Sequence, residues 1–183
     1  NKKISIIGLG YVGLPLALEL CKKYSVIGFD LDKNRINEIK NNHDRTREIT
    51  ESQLEKAKNL TISFNPESMR GSDFYIITVP TPIDQNNNPN LEPLKSASSY
   101  AGQFLTHGAI VIYESTVYPG CTEEICVPIL EEESGLKYNR DFFCGYSPER
   151  INPGDKTHTL TKIKKITSGS NKKTSIKVDN LYK

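Results

Sequence analysis

The stretch ISIIGLGYVGLPLALEL, residues 4–20, decides how this chain is read. An apolar run meets glycines at 8, 10 and 13, and a second apolar run follows with no loop between. Residues 3–7 read as a buried strand. Residues 12–23 read as a helix with Leu14, Leu18 and Cys21 on one face and Pro15 early, where it is tolerated. A GxGxxG spacing alone is a weak signal. Here it follows a strand, opens a helix, and is answered by Asp30 at the end of the next predicted strand, 22 residues after Gly8. Gly8 allows the tight turn, Gly10 lets a pyrophosphate approach bare backbone, and Gly13 lets the helix pack against the sheet. The backbone N–H groups around Tyr11, Val12 and Gly13 open the helix and offer partial positive charge to phosphates. Asp30 is expected to accept from the adenosine ribose hydroxyls and to repel a 2′-phosphate, which favours NAD over NADP. Arg35, one helical turn further on, lies beside the ribose or adenine or else serves only the fold.

Outward from that junction, residues 25–29 predict a second strand and 32–41 a short helix using Ile36 and Ile39. Residues 42–49 are polar and read as loop. Thr50 and Gln53 form a capping-box pattern for a helix to about 58. Strands are predicted at 61–64 and 73–79, with a short helix opened by Asn65 and Pro66 between them. PTPIDQNNNPN at 80–90 is a loop by composition. A helix at 91–105, a strand at 109–113, and a helix at 122–133 kinked by Pro128 follow. Strands at 142–146 and 162–167 come next, and Ser170 caps a last helix that runs into the C-terminus. There is no internal repeat. Strands alternating with helices imply the α/β class: a doubly wound parallel sheet, Rossmann-like, with right-handed crossovers.

Of the 183 residues 36% are hydrophobic and 25% charged, the balance of one soluble domain with a real core. Net charge is only +2 with mixed signs, and the basic run 162–177 lacks interleaved aromatics, so no nucleic-acid partner is expected. No apolar run is long enough for a membrane helix, and the early strand leaves no room for a signal peptide. Cys21, Cys121, Cys126 and Cys144 form no CxxC pair, and His43, His107 and His158 lie near none of them. No metal site is read, and the thiols are taken as reduced fillers in a cytoplasmic protein. Cys121 follows Gly120 near a helix start, a setting that lowers a thiol's pKa.

Four stretches then occur in order: IIGLGYVGLP at 6–15, VPTP at 79–82, ESTVYPG at 114–120 and YSPERINPG at 146–154. Together they resemble the UDP-glucose/GDP-mannose dehydrogenase family of nucleotide-sugar 6-dehydrogenases, over nearly the whole chain. PTPIDQNNNPNLEPL and YSPERINPGD are most similar to the branch acting on UDP-N-acetylhexosamines. The resemblance implies that residues 1–183 are the NAD-binding domain. Residues 170–183 would start a linking helix, and a central dimer-forming segment and a C-terminal sugar-nucleotide domain would lie outside this chain. It implies a double oxidation of the sugar's C6 alcohol to an acid with two NAD. A cysteine beyond this chain would capture the aldehyde, and water would release the product from a thioester.

The resemblance also assigns roles. Val79, Pro80 and Thr81 end a strand at the edge where such sheets bind ligands, with Thr81 approaching the cofactor. Thr116 lies near the nicotinamide and a catalytic water. Glu149 is tied to thioester hydrolysis, and a carboxylate shielded from solvent handles protons near neutrality. Arg150 meets a substrate carboxylate or phosphate. Plain alternatives stay open: Thr81 as a turn cap, Thr116 bonded only to backbone, and Glu149 and Arg150 as a salt-bridging pair. Where the UDP-glucose branch carries a second glutamate, four residues after the first, this chain has Pro153. Two other functions stay open as well: a dehydrogenase of another substrate class, such as a hydroxyacid enzyme, and a non-catalytic nucleotide-binding module.

Overall fold

The computed structural model describes residues 2–83, 85, 88–149 and 165–183. Its strands are β1 (Lys3–Ile7), β2 (Ser25–Phe29), β3 (Leu60–Ser63), β4 (Phe74–Ile77), β5 (Ile110–Tyr113), β6 (Phe143–Tyr146) and β7 (Ser168–Gly169). The helices are α1 (Gly13–Leu20), α2 (Lys33–Lys40), α3 (Glu51–Glu55), α4 (Glu92–Gly102), α5 (Val127–Ser134) and α6 (Lys172–Leu181). The strands form one sheet in the order β3-β2-β1-β4-β5-β6-β7. All neighbours run parallel except β6 and β7. The chain starts in the middle, winds outward to β3, then crosses back to β4 beside β1. That reversal opens a crevice at the carboxyl ends of β1 and β4.

Both faces of the sheet are covered, so β4 and β5 are apolar along their whole length, and β1 is broken only by Ser5, whose buried hydroxyl pairs with Ser72 (2.7 Å), and by Lys3 at its start. Alternation then sorts side chains to two cores. Tyr75, Ile77, Val111 and Tyr113 pack with Leu94, Ala97, Ala101 and Leu130 of α4 and α5. Phe74, Ile76, Ile110 and Ile112 pack with Leu14, Ala17 and Leu18 of α1 and Val178 and Leu181 of α6. The two buried tyrosines keep partners for their hydroxyls: Tyr75 donates to the Phe104 carbonyl (2.7 Å), and Tyr113 pairs with Ser98 (2.8 Å).

The expected doubly wound sheet is present, with four local differences. The last strand is Ser168–Gly169 and antiparallel; residues 165–167 are not strand, and 162–164 lie outside the described residues. The last helix is capped by Asn171, whose side chain accepts from Thr174 N–H (2.9 Å); Ser170 instead accepts from Cys144 N–H. Pro128 does not kink a continuous α-helix. A π-helical turn, Thr122–Cys126, precedes it, and proline is the second residue of α5, in the first turn where it is tolerated. The Thr50–Gln53 capping box forms as expected, but α3 stops at Glu55. Among the described residues no helix is long and apolar enough to cross a membrane.

Candidate functional site

The glycine turn is held from three sides. Gly8 sits at φ +97°, a conformation that side chains resist, and a Cβ there would press on Val79 at 3.1 Å. At Gly13 a Cβ would fall 1.9 Å from the Gly8 carbonyl oxygen, so only glycine lets α1 start this close to the turn. The Thr78 hydroxyl, at the end of β4, donates to the Gly8 carbonyl (2.7 Å) and lies 3.1 Å from that of Ile7. From the other side Asp30 accepts from Leu9 N–H (2.8 Å) and Asp32 N–H (2.9 Å). Asp30 therefore braces the turn, and its two oxygens retain lone pairs for a ligand.

Gly10 is different. A Cβ there meets nothing within 4 Å, so the glycine answers to no protein neighbour. Beside it, Val12 opens α1 without any side-chain cap; Leu14 N–H goes to the Gly10 carbonyl (3.2 Å) and Pro15 has none, so the Gly13 N–H at the turn is the one left for an external acceptor. An uncapped helix start next to open space that a side chain would fill suits a phosphate group.

A cleft of about 510 Å³ runs from this turn across the reversal point. Gly8, Gly10, Tyr11, Val12, Asp30 and Leu31 line one end, Val79, Pro80 and Thr81 the middle, and Glu114, Ser115, Thr116 and Glu149 the far end. Strand order explains the sequence of walls: β2 carries Asp30, β4 the Val79–Thr81 segment, β5 Thr116, and β6 Glu149. The Ser115 hydroxyl donates to the Val79 carbonyl (2.6 Å) and locks the ends of β4 and β5 together. Thr81 Oγ1 is buried on the cleft wall with no hydrogen-bond partner. It caps no turn, and it is the kind of polar atom that a ligand group satisfies. Thr116 is exposed to the cleft. These features fit a dinucleotide: an acid for one ribose, an amide-lined turn for the pyrophosphate, and polar groups beyond.

The structure does not put Arg35 on the cleft wall. It is buried behind the turn, where Nε donates to the Leu9 carbonyl (2.7 Å) and Nη2 to Asp44 (2.7 Å). Asp44, buried in the polar 42–49 loop, supplies the reason. Burial works to raise its pKa, but hydrogen bonds from Thr46, Arg35 and the Ile49 amide hold the carboxyl below the usual carboxylate range. A buried carboxylate takes the nearest cation, so Arg35 supports the turn from behind. Arg150 lies outside the described residues.

Cys121 corrects another expectation. It is fully buried, and burial pushes its thiol up rather than down, with Glu124 and Glu123 adding to the rise. Burial raises Cys126 to about 11 and also pushes the Cys144 thiol well above its ordinary value. All four cysteines are buried free thiols, and none lines the cleft.

Sequence reading passed over Glu114 as a site residue. Its side chain is fully buried at the end of β5, bonded to Lys165 Nζ and to the Tyr182 hydroxyl just after α6. Its partners are 51 and 68 residues away, a distance no local pattern spans.

Comparison with known proteins agrees with this geometry. The sequence model of the UDP-glucose/GDP-mannose dehydrogenase family, NAD binding domain, matches residues 2–183. The UDP-N-acetyl-D-glucosamine 6-dehydrogenase of Salmonella typhi is 57% identical over 180 residues, covering 98% of this chain and 42% of its own length. The enzyme of the same name from Pseudomonas aeruginosa is 53% identical over 181 residues, 99% of this chain and 43% of its own. The solved UDP-D-ManNAc dehydrogenase of Pyrococcus horikoshii superposes with a TM-score of 0.90 at 32% identity, over 98% of this chain and 44% of that one. The chain thus spans about two fifths of the length of these curated relatives.

Proposed function

This chain belongs to the UDP-glucose/GDP-mannose dehydrogenase family as its NAD-binding domain, and from that premise we propose that it serves a UDP-N-acetylhexosamine 6-dehydrogenase. The reaction is oxidation of the sugar's C6 alcohol to the uronic acid with two NAD. The observation that carries this reading is the single cleft joining the glycine turn and Asp30 to Thr81, Thr116 and Glu149. The two relatives above 50% identity support the N-acetylhexosamine class.

In this reading Gly8, Gly10, Tyr11, Val12 and Gly13 receive the pyrophosphate, and Asp30 the adenosine ribose. Val79, Pro80 and Thr81 flank the nicotinamide half. NAD supplies the hydride acceptor. Thr116 can donate and accept at once, which suits holding a water. Glu149 is the carboxylate that moves a proton from that water, and Arg150 meets the substrate's negative charge. Arg35 acts on the cofactor indirectly, by fixing Leu9. Since no thiol of this chain lines the cleft, the cysteine that captures the aldehyde belongs to another part of the protein. Residues 170–183 begin the segment leading to a dimerising centre and a sugar-nucleotide domain, and the cytoplasmic location goes with this soluble substrate pair.

The test is NADH formation by the full-length enzyme with UDP-N-acetylglucosamine, its galacto and manno epimers, and UDP-glucose. Two NADH per N-acetylhexosamine are expected. One NADH per sugar, or turnover of a hydroxyacid alone, overturns the reading.

A further inference from the structure

Glu114 has no role in the reaction outlined above, yet it is a wholly buried carboxylate on the wall of the cofactor cleft. It sits at the β5 end. That is two strands beyond the glycine turn at β1, whereas Asp30 sits at the end of β2, one strand to the other side. A dinucleotide with its adenosine at Asp30 and its pyrophosphate at the turn directs its nicotinamide toward β4 and β5. The oxidised nicotinamide ring carries a positive charge and the reduced ring carries none. A fixed carboxylate at that end therefore acts on one redox form and not on the other.

We propose that Glu114 discriminates between the redox states of the cofactor: buried on the β5 wall and held by Lys165 and Tyr182, it favours NAD+ over NADH. The inference rests on the reading of the cleft as a dinucleotide site. Three surroundings of the carboxylate are on the page. Lys165 Nζ bonds to it and also lies 5.0 Å from the Tyr182 ring centre. The Tyr182 hydroxyl donates to its other oxygen, and burial keeps that phenol protonated. Glu149 adds like charge from the segment after β6. Burial pushes the Glu114 carboxyl up, while Lys165 and Tyr182 hold it down. The lysine thus offsets part of what burial costs the charged form of Glu114.

The test compares dissociation constants for NAD+ and NADH, by calorimetry, in the full-length wild-type protein and variants. Glu114→Gln leaves Lys165 uncompensated, and the ratio is expected to move toward NADH by on the order of tenfold. Equal weakening of both forms, or no change in either, overturns the proposal, because a structural role does not distinguish them. Lys165→Gln gives a second reading should Glu114→Gln fail to fold. Without its cation the Glu114 carboxyl is pushed further up by burial and its charge comes to depend on pH, so the preference for NAD+ should rise with pH more steeply than in the wild type. A slope no steeper than wild type overturns it. If the wild-type protein binds neither NAD+ nor NADH, the dinucleotide reading itself fails, a result distinct from binding without discrimination.

Discussion

A Cβ built at Gly13 falls 1.9 Å from the Gly8 carbonyl oxygen and 2.5 Å from the Thr78 hydroxyl. Neither neighbour is free to yield, since Thr78 is itself bonded to that carbonyl. Gly13→Ala should therefore cost about 3 kcal/mol in urea unfolding; a loss below about 0.5 kcal/mol would refute the close approach. Asp44 and Arg35 give a pH-dependent counterpart. The folded carboxyl titrates below its unfolded value of about 3.9, so its stabilisation is complete above that value and disappears as pH falls through the folded one. Asp44→Asn should then cost about 3 kcal/mol at neutral pH, because the buried Arg35 loses its close carboxylate and keeps only the Leu9 carbonyl and Glu38 at 3.7 Å. The gap to wild type should shrink below about pH 4. A gap independent of pH would mean the ion pair is not its source. The glycines and Asp30 were legible because their spacing encodes a turn. Thr78 and Ser115 were not, because each acts on a partner brought close only by the sheet crossing, and Asp44 was not, because its bond to Arg35 depends on how the polar loop folds back against α2.

The edges of elements were set by contacts that the periodicity does not carry. Ser170 and Asn171 are adjacent, and both residue types cap helices well. Which one caps α6 depends on where β7 releases the chain. Gly169 packs so tightly on α6 that a Cβ would sit 2.3 Å from Ser175 N, and this pins the helix start one residue later. Asn171→Ala should lower stability by about 1 kcal/mol and Ser170→Ala by less, as read by chemical denaturation; the reverse order would restore the serine as the cap. The same reasoning explains β7. Two residues of antiparallel edge strand carry no hydrophobic pattern to read, whereas β1 and β2 are five-residue strands, each with four consecutive buried positions, and their limits follow from sequence alone. Pro128 was legible as a disturbance, but its form was not. Val127 N–H reaches back to the Thr122 carbonyl, and this wider turn takes up the strain before the proline.

At the scale of the whole molecule, the order β3-β2-β1-β4-β5-β6 turns separate sequence motifs into one cleft, since each motif sits at the carboxyl end of a neighbouring strand. The sheet could be read in advance because each strand–helix unit announces itself locally. The Glu114 cluster could not, because it joins β5 to residues on both sides of α6's start. A ligand that binds only the folded chain stabilises it by mass action, about 2.7 kcal/mol at one hundred times its dissociation constant. For a domain of this length that raises the melting temperature by on the order of 5–10 °C. Gly10 separates this effect from folding. A Cβ at Gly10 meets no protein atom within 4 Å, so Gly10→Ala should melt at the wild-type temperature when no dinucleotide is added. The added methyl occupies the space meant for the pyrophosphate, so the same variant should lose most of the NAD-dependent rise. Two results in thermal melts would refute this account. One is a variant already destabilised without NAD, which would make Gly10 a folding residue. The other is a variant still stabilised as fully as wild type, which would move the phosphates away from the turn and take the assignment of Asp30 to the ribose with them.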